Sequence, residues 1–93
     1  MANWVLSPNA ETELREIMCS VAYFTGYWTS AVNLFEELQN KFELIAFMPQ
    51  IGVEREDGSR ETFCRGYRIV YEISGENVKI LTVIHSRRLY PRP

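Results

Sequence analysis

The spacing of apolar residues changes once along this chain, from a helical period to a strand period, and that change restricts the fold more than any other feature. Ala10, Leu14, Ile17, Val21 and Phe24 recur at steps of four and three, which makes one stripe of an amphipathic helix. Ser7 and Pro8 stand where an N-cap and a first helical residue belong. Glu11, Glu13 and Glu16 lie toward the end where the helix dipole favours anions, and Gly26 is a stop. A second stripe follows in Ala31, Leu34 or Phe35, Leu38, Phe42 and Ile45, with Thr29 or Ser30 as cap and Pro49 as its close. Two such helices joined by a short link form an antiparallel hairpin.

From Ile51 to Ser59 two glycines and a charge cluster predict a surface loop, and beyond it the period becomes two. Residues 62–65 and 67–73 flank Gly66; in the second run Tyr67, Ile69, Tyr71 and Ile73 alternate with Arg68, Val70 and Glu72. Arg68 and Glu72 therefore share the face opposite the core, where Glu72 is the expected ion partner of Arg68. After a turn at 74–77, Val78 to Ile84 is apolar enough to lie inside the sheet beside its predecessor. With Trp4-Val5-Leu6 as a first strand, the order is β-α-α-β-β-β. The expected fold is an α+β domain with the helical hairpin on one face of a largely antiparallel sheet.

A chain of 93 residues supports one hydrophobic core and hence one domain spanning 1–93. No apolar run nears the roughly 18 residues of a membrane helix, and the first residues lack the regions of a signal peptide, so the cytoplasm is the expected compartment and no membrane partner is expected. Cys19 and Cys64 have no CxxC or histidine-rich companion and read as buried thiols; neither metal nor cofactor is expected. Trp4, Tyr27 and Trp28 read as core or helix-link packing, with contact to a partner as the alternative. Charge is polarised: residues 1–59 hold three basic and nine acidic side chains, net −6, and residues 60–93 hold seven basic and three acidic, net +4. Such a field suits a charged partner.

The opening LSPNAETELREI (6–17), the GYRIVYEI strand (66–73) and the closing VIHSRRLYP (83–91), in this order and in a chain of this size, resemble the ParE/RelE superfamily of type II toxin-antitoxin toxins. The ending Ile84-His85-Ser86-Arg87-Arg88 is similar to the strand followed by His-x-Arg-Arg that typifies the ParE branch. Resemblance to that branch implies a toxin that binds and blocks DNA gyrase, restrained by a ParD-like antitoxin in a hetero-oligomer and reaching operator DNA only through the antitoxin. The RelE branch instead implies a ribosome-dependent messenger RNA endonuclease.

Cutting RNA requires activation of a 2′-hydroxyl, stabilisation of a phosphorane and protonation of a leaving oxygen, which RelE-like sites achieve with several cations and a Tyr or His. Arg68 matches a functional arginine of those nucleases, so that alternative would use Arg68, His85, Arg87, Arg88 and Tyr90. The strand at 60–65 lacks the paired lysines expected there, however, and after Tyr90 only Pro91-Arg92-Pro93 remains, too short for a catalytic helix. A net acidic chain also suits ribosomal RNA poorly. The ParE branch is therefore favoured and no catalytic residue is assigned. The resemblance implies target contacts at Arg65, Arg68, His85, Arg87, Arg88 and Tyr90, and antitoxin contacts at Trp28, Phe35, Leu38 and Tyr71, where a folding tail would cross the hairpin and the sheet.

Overall fold

In a computed structural model, which describes residues 3–86, the chain folds as β1 (Asn3–Leu6), α1 (Pro8–Thr25), α2 (Trp28–Phe47), a 3-10 turn (Pro49–Ile51), β2 (Val53–Glu54), β3 (Arg60–Cys64), β4 (Tyr67–Ser74) and β5 (Asn77–His85). The strands form one mixed sheet in the order β1-β5-β4-β3-β2. Only β1 runs parallel to its neighbour. The expected α+β class, helical hairpin and three antiparallel strands are all present, and β5 is internal as its composition implied. No helix among the described residues is long and apolar enough to cross a membrane.

Ser7 explains how β1 passes into α1. Its Oγ accepts the Ala10 N–H at 3.0 Å and so caps the helix, while Pro8 supplies a fixed φ and no orphan donor. The same residue ties the helix start to the sheet: its N–H donates to the Ile80 carbonyl at 2.9 Å and its hydroxyl to the Leu81 carbonyl at 2.8 Å. The two successive carbonyls are available because β5 carries a bulge; Val70 pairs with Thr82 but Tyr71 with Ile80, leaving Leu81 extra. β1 pairs with β5 only as far as Ile80. Beyond that point Glu13 reaches down from α1 to accept the Thr82 hydroxyl and, at 3.2 Å, the Val83 N–H, which closes a strand edge otherwise left bare.

The core forms where the two helical stripes meet one sheet face, with Leu14, Leu34, Leu38, Phe42 and Ile45 against Ile69, Tyr71, Val78, Ile80 and Val83. Trp4 joins its rim, 5.1 Å from the Phe42 ring, and its indole N–H donates to Glu43 at 2.9 Å. The Tyr71 phenol carries a polar group through this core. It takes the Gly52 N–H at 2.9 Å and donates to the Pro49 carbonyl at 2.6 Å, locking the exit of α2 over the sheet. Gly52 must be glycine there, because a Cβ would lie 2.5 Å from that phenolic oxygen.

Several expectations need correction. The second helix begins at Trp28, with Tyr27 rather than Thr29 or Ser30 as N-cap. The loop at 51–59 contains the short edge strand β2, which pairs with Arg60 and Glu61. Phe24 continues the first stripe in spacing but lies past the point where α1 meets the sheet and is 82% exposed. Tyr27 and Trp28 are exposed for the same reason, and Cys19 is exposed rather than a buried thiol.

Candidate functional site

The candidate target residues are drawn together by a two-residue hairpin. Arg65 and Gly66 both adopt left-handed backbone, φ 53° and 82°, which turns β3 into β4 with the twist the strands require. Glycine takes that conformation freely, but arginine is strained in it. The Arg65 side chain is held to Glu37 of α2 at 2.5 Å, so the turn is pinned to the helical layer. Alongside, the Ser86 N–H donates to the Gly66 carbonyl at 2.8 Å, which brings the end of β5 against the same turn.

Strand alternation then divides this end of the sheet. Tyr67 and His85 are register partners on the helix-covered face, their rings edge to face at 5.8 Å. They line, with Glu13, Glu16 and Ser20 of α1, a cavity of about 230 Å³. Arg68 pairs in register with Ile84 and projects from the opposite face. Its guanidinium lies 5.6 Å from the Phe63 ring, and its Nη2 donates to the Ser86 carbonyl at 3.3 Å. Arg68 and His85 thus stand on opposite sides of the sheet.

The ion partner of Arg68 is Glu61, not Glu72. Arg68 Nε lies 3.2 Å from Glu61 Oε2 without the alignment of a hydrogen bond, and Arg55 Nη1 donates to Glu61 Oε1 at 3.4 Å, so one carboxylate serves two guanidiniums. Glu72 is displaced from this role because it sits four residues farther along β4, opposite Lys79. Glu61 could have been found from sequence: a two-residue turn at 65–66 pairs Phe63 with Arg68 and Glu61 with Val70, diagonal to Arg68 on the same face.

Arg65, Arg68 and His85 are therefore brought to one end of the sheet, while Arg87, Arg88 and Tyr90 lie outside the described residues. Of the expected antitoxin contacts, Leu38 and Tyr71 are fully buried in this chain's own core and offer no surface to a partner. Leu38 faces the sheet from the α2 stripe and Tyr71 faces the helices from β4, so both belong to the core between the two layers. Phe35 packs half-buried against the core, and Trp28 is 58% exposed. Among the described residues no group of three or more His, Cys, Asp or Glu could hold a metal ion. Burial, and secondarily the Glu37 carboxylate, pushes the Cys64 thiol above its ordinary pKa, the reverse of what a nucleophilic cysteine needs.

The fold is similar to that of a solved structure, the chromosomal ParDE TA system from P. aeruginosa, with a TM-score of 0.74 over 90% of this chain and 92% of that one, at 15% sequence identity. No curated protein matches the sequence. The model of the family described as the ParE toxin of the type II toxin-antitoxin system, parDE, matches residues 5–90. That span takes in the helical hairpin, strands β2 to β5 and the Arg65 to Ser86 end, and the chain belongs to the ParE toxin family.

Proposed function

We propose that this ParE-family toxin acts by binding DNA gyrase and stalling it with DNA cut, breaking no bond itself, and that a ParD-like antitoxin holds it inactive in a hetero-oligomer. The observation that carries the binding-only reading is the division of the candidate site by the sheet. A nuclease must set a cation, a base and an acid around a single phosphate. Arg68 and His85 project from opposite faces, and Arg68 already shares Glu61 with Arg55. A ribonuclease reading would need Glu61 to release Arg68 and a proton donor other than His85.

In this reading Arg65 and Arg68 contact the target together with Arg87, Arg88 and Tyr90 of the sequence after β5, whose guanidiniums and ring are the side-chain types that anchor interfaces. Trp28 and the half-buried Phe35 offer apolar surface for the antitoxin. The toxin would meet operator DNA only through that antitoxin, and its site of action is the cytoplasm. Purified toxin added to gyrase and relaxed plasmid tests the target: supercoiling should fall with toxin concentration and recover when antitoxin is added. Undiminished supercoiling at a large molar excess of toxin would reject gyrase as the target.

A further inference from the structure

The longest stretch of the chain without a charged side chain is residues 17–35, and it forms the tip of the helical hairpin. Val21 is the last α1 residue packed against the core, and beyond it the hairpin runs on past the sheet. Tyr23 and Phe24 are each 82% exposed, Tyr27 70% and Trp28 58%, and the Tyr23 and Phe24 rings meet edge to face at 5.5 Å. The tip is held in shape. Gly26, at φ 76°, donates its N–H to the Ala22 carbonyl at 2.9 Å. Thr25 Oγ1 donates to the Val21 carbonyl at 2.7 Å and accepts the Tyr27 N–H at 3.2 Å. The four rings are therefore displayed on a fixed support, and covering them costs little ordering entropy.

Area and charge together identify what covers them. An aromatic side chain offers roughly 150–250 Å², so at these exposures the four leave roughly 450–700 Å² open to water. That reaches or passes the roughly 300–600 Å² of the largest apolar patch on an ordinary monomer. Two such tips face to face bury about 900–1,400 Å² in all, against the roughly 1,000 Å² that a specific interface needs. A charged partner finds no counter-charge here. Glu16 and Glu36, the nearest carboxylates along the helices, stand eight residues from Phe24 and Trp28, about 12 Å at roughly 1.5 Å per residue. A second copy presents the same neutral aromatic surface and meets it without like-charge repulsion. The phenols, the indole N–H and the Thr29 and Ser30 hydroxyls supply neutral polar groups for its rim. A self-complementary patch pairs about a two-fold axis and closes as a dimer.

We propose that the toxin, when no antitoxin is bound, pairs with a second copy of itself through the hairpin tips and forms a closed two-fold dimer. Trp28 belongs also to the surface proposed for the antitoxin, so the dimer is a form of the free toxin; it does not depend on gyrase being the target. Sedimentation equilibrium of purified full-length toxin, from low to high micromolar concentration, tests it. The mass of the parent should climb from 10.9 kDa toward twice that value and stop there. Phe24→Glu and Phe24→Lys should each weaken association at least ten-fold, because a charge of either sign at the tip meets its own copy. Phe47→Glu alters an equally exposed phenylalanine at the opposite end of α2 and should associate as the parent does. A parent that stays monomeric, a mass that rises past the dimer, parent-like association by the Phe24 variants, or an equal loss in Phe47→Glu would each overturn the dimer. Loss in Phe24→Glu with tighter association in Phe24→Lys would put an acidic surface of the second copy against the tip and overturn the tip-to-tip contact. Phe24 and Phe47 are exposed, so thermal melts matching the parent confirm that the variants are folded.

Discussion

Glu61→Gln should be far more damaging than Arg68→Met, although the two residues form one pair. Glu61 neutralises both Arg55 and Arg68, and the three side chains are only 12 to 21% exposed. Removing the charge of one partner in a fully buried pair costs about 3–5 kcal/mol, because the remaining charge stays desolvated. Here 12 to 21% of each side chain still meets solvent, so the cost falls to about 2–3 kcal/mol, with two guanidiniums then facing each other across the site. Arg68→Met instead leaves a one-to-one Arg55–Glu61 pair and removes one hydrogen bond to the Ser86 carbonyl, for about 1 kcal/mol. For a domain of this size the glutamate variant should melt about 10–20 °C below the parent and the arginine variant about 4–8 °C below. Urea denaturation at neutral pH, with circular dichroism as the readout, gives the comparison directly. An Arg68→Met loss equal to or larger than that of Glu61→Gln would refute the shared-carboxylate argument.

Other consequences follow from the same structure. Gly52→Ala should destabilise by about 1–3 kcal/mol through its clash with the Tyr71 phenol, and the cost should shrink when measured in a Tyr71→Phe background, which a double-mutant cycle would show. Tyr71→Phe alone strands the Gly52 N–H and the Pro49 carbonyl, at about 1–3 kcal/mol. Burial raises the Tyr71 phenol above its ordinary 10.0. Because the folded pKa is the higher one, the Tyr71 contribution is intact below pH 10 and is lost as pH climbs through the raised value; Tyr71→Phe should lack that alkaline component in a stability–pH titration. Ser7→Ala removes the cap of α1 and the donor to Leu81, and should lower denaturant stability by about 1–2 kcal/mol.

The architecture was legible because each element carries its own period. The stripe through Leu34, Leu38, Phe42 and Ile45 and the alternation through Ile69 and Tyr71 belong to local sequence, and the Ser7-Pro8 start is local chemistry. What escaped depends on contacts distant along the chain. Phe24 keeps helical spacing after the sheet beneath it has ended, so periodicity alone placed it in the core. Leu38 and Tyr71 were assigned to a partner's surface because a stripe does not reveal which of its residues the chain covers itself. Glu72 shares a face with Arg68 along one strand, but the register across the Arg65-Gly66 turn brings Glu61 diagonally opposite Arg68, and that cross-strand carboxylate is the nearer one. The candidate site was legible as residue types and only partly as geometry: that Arg68 and His85 diverge follows from strand parity across a hairpin, once the register partner of His85 is known to be Tyr67.

The central claim is that this toxin acts on gyrase as a bound protein and not on RNA as an enzyme. Inducing it in cells and assaying one culture for gyrase covalently linked to chromosomal DNA and for messenger RNA cut within the ribosomal A site separates the two. Gyrase-linked DNA breaks should accumulate while messages stay intact, and Arg87→Ala with Arg88→Ala should abolish the breaks while antitoxin binding persists. Cut messages without gyrase-linked DNA would contradict the account, and would mean that Glu61 gives up Arg68 to an RNA phosphate.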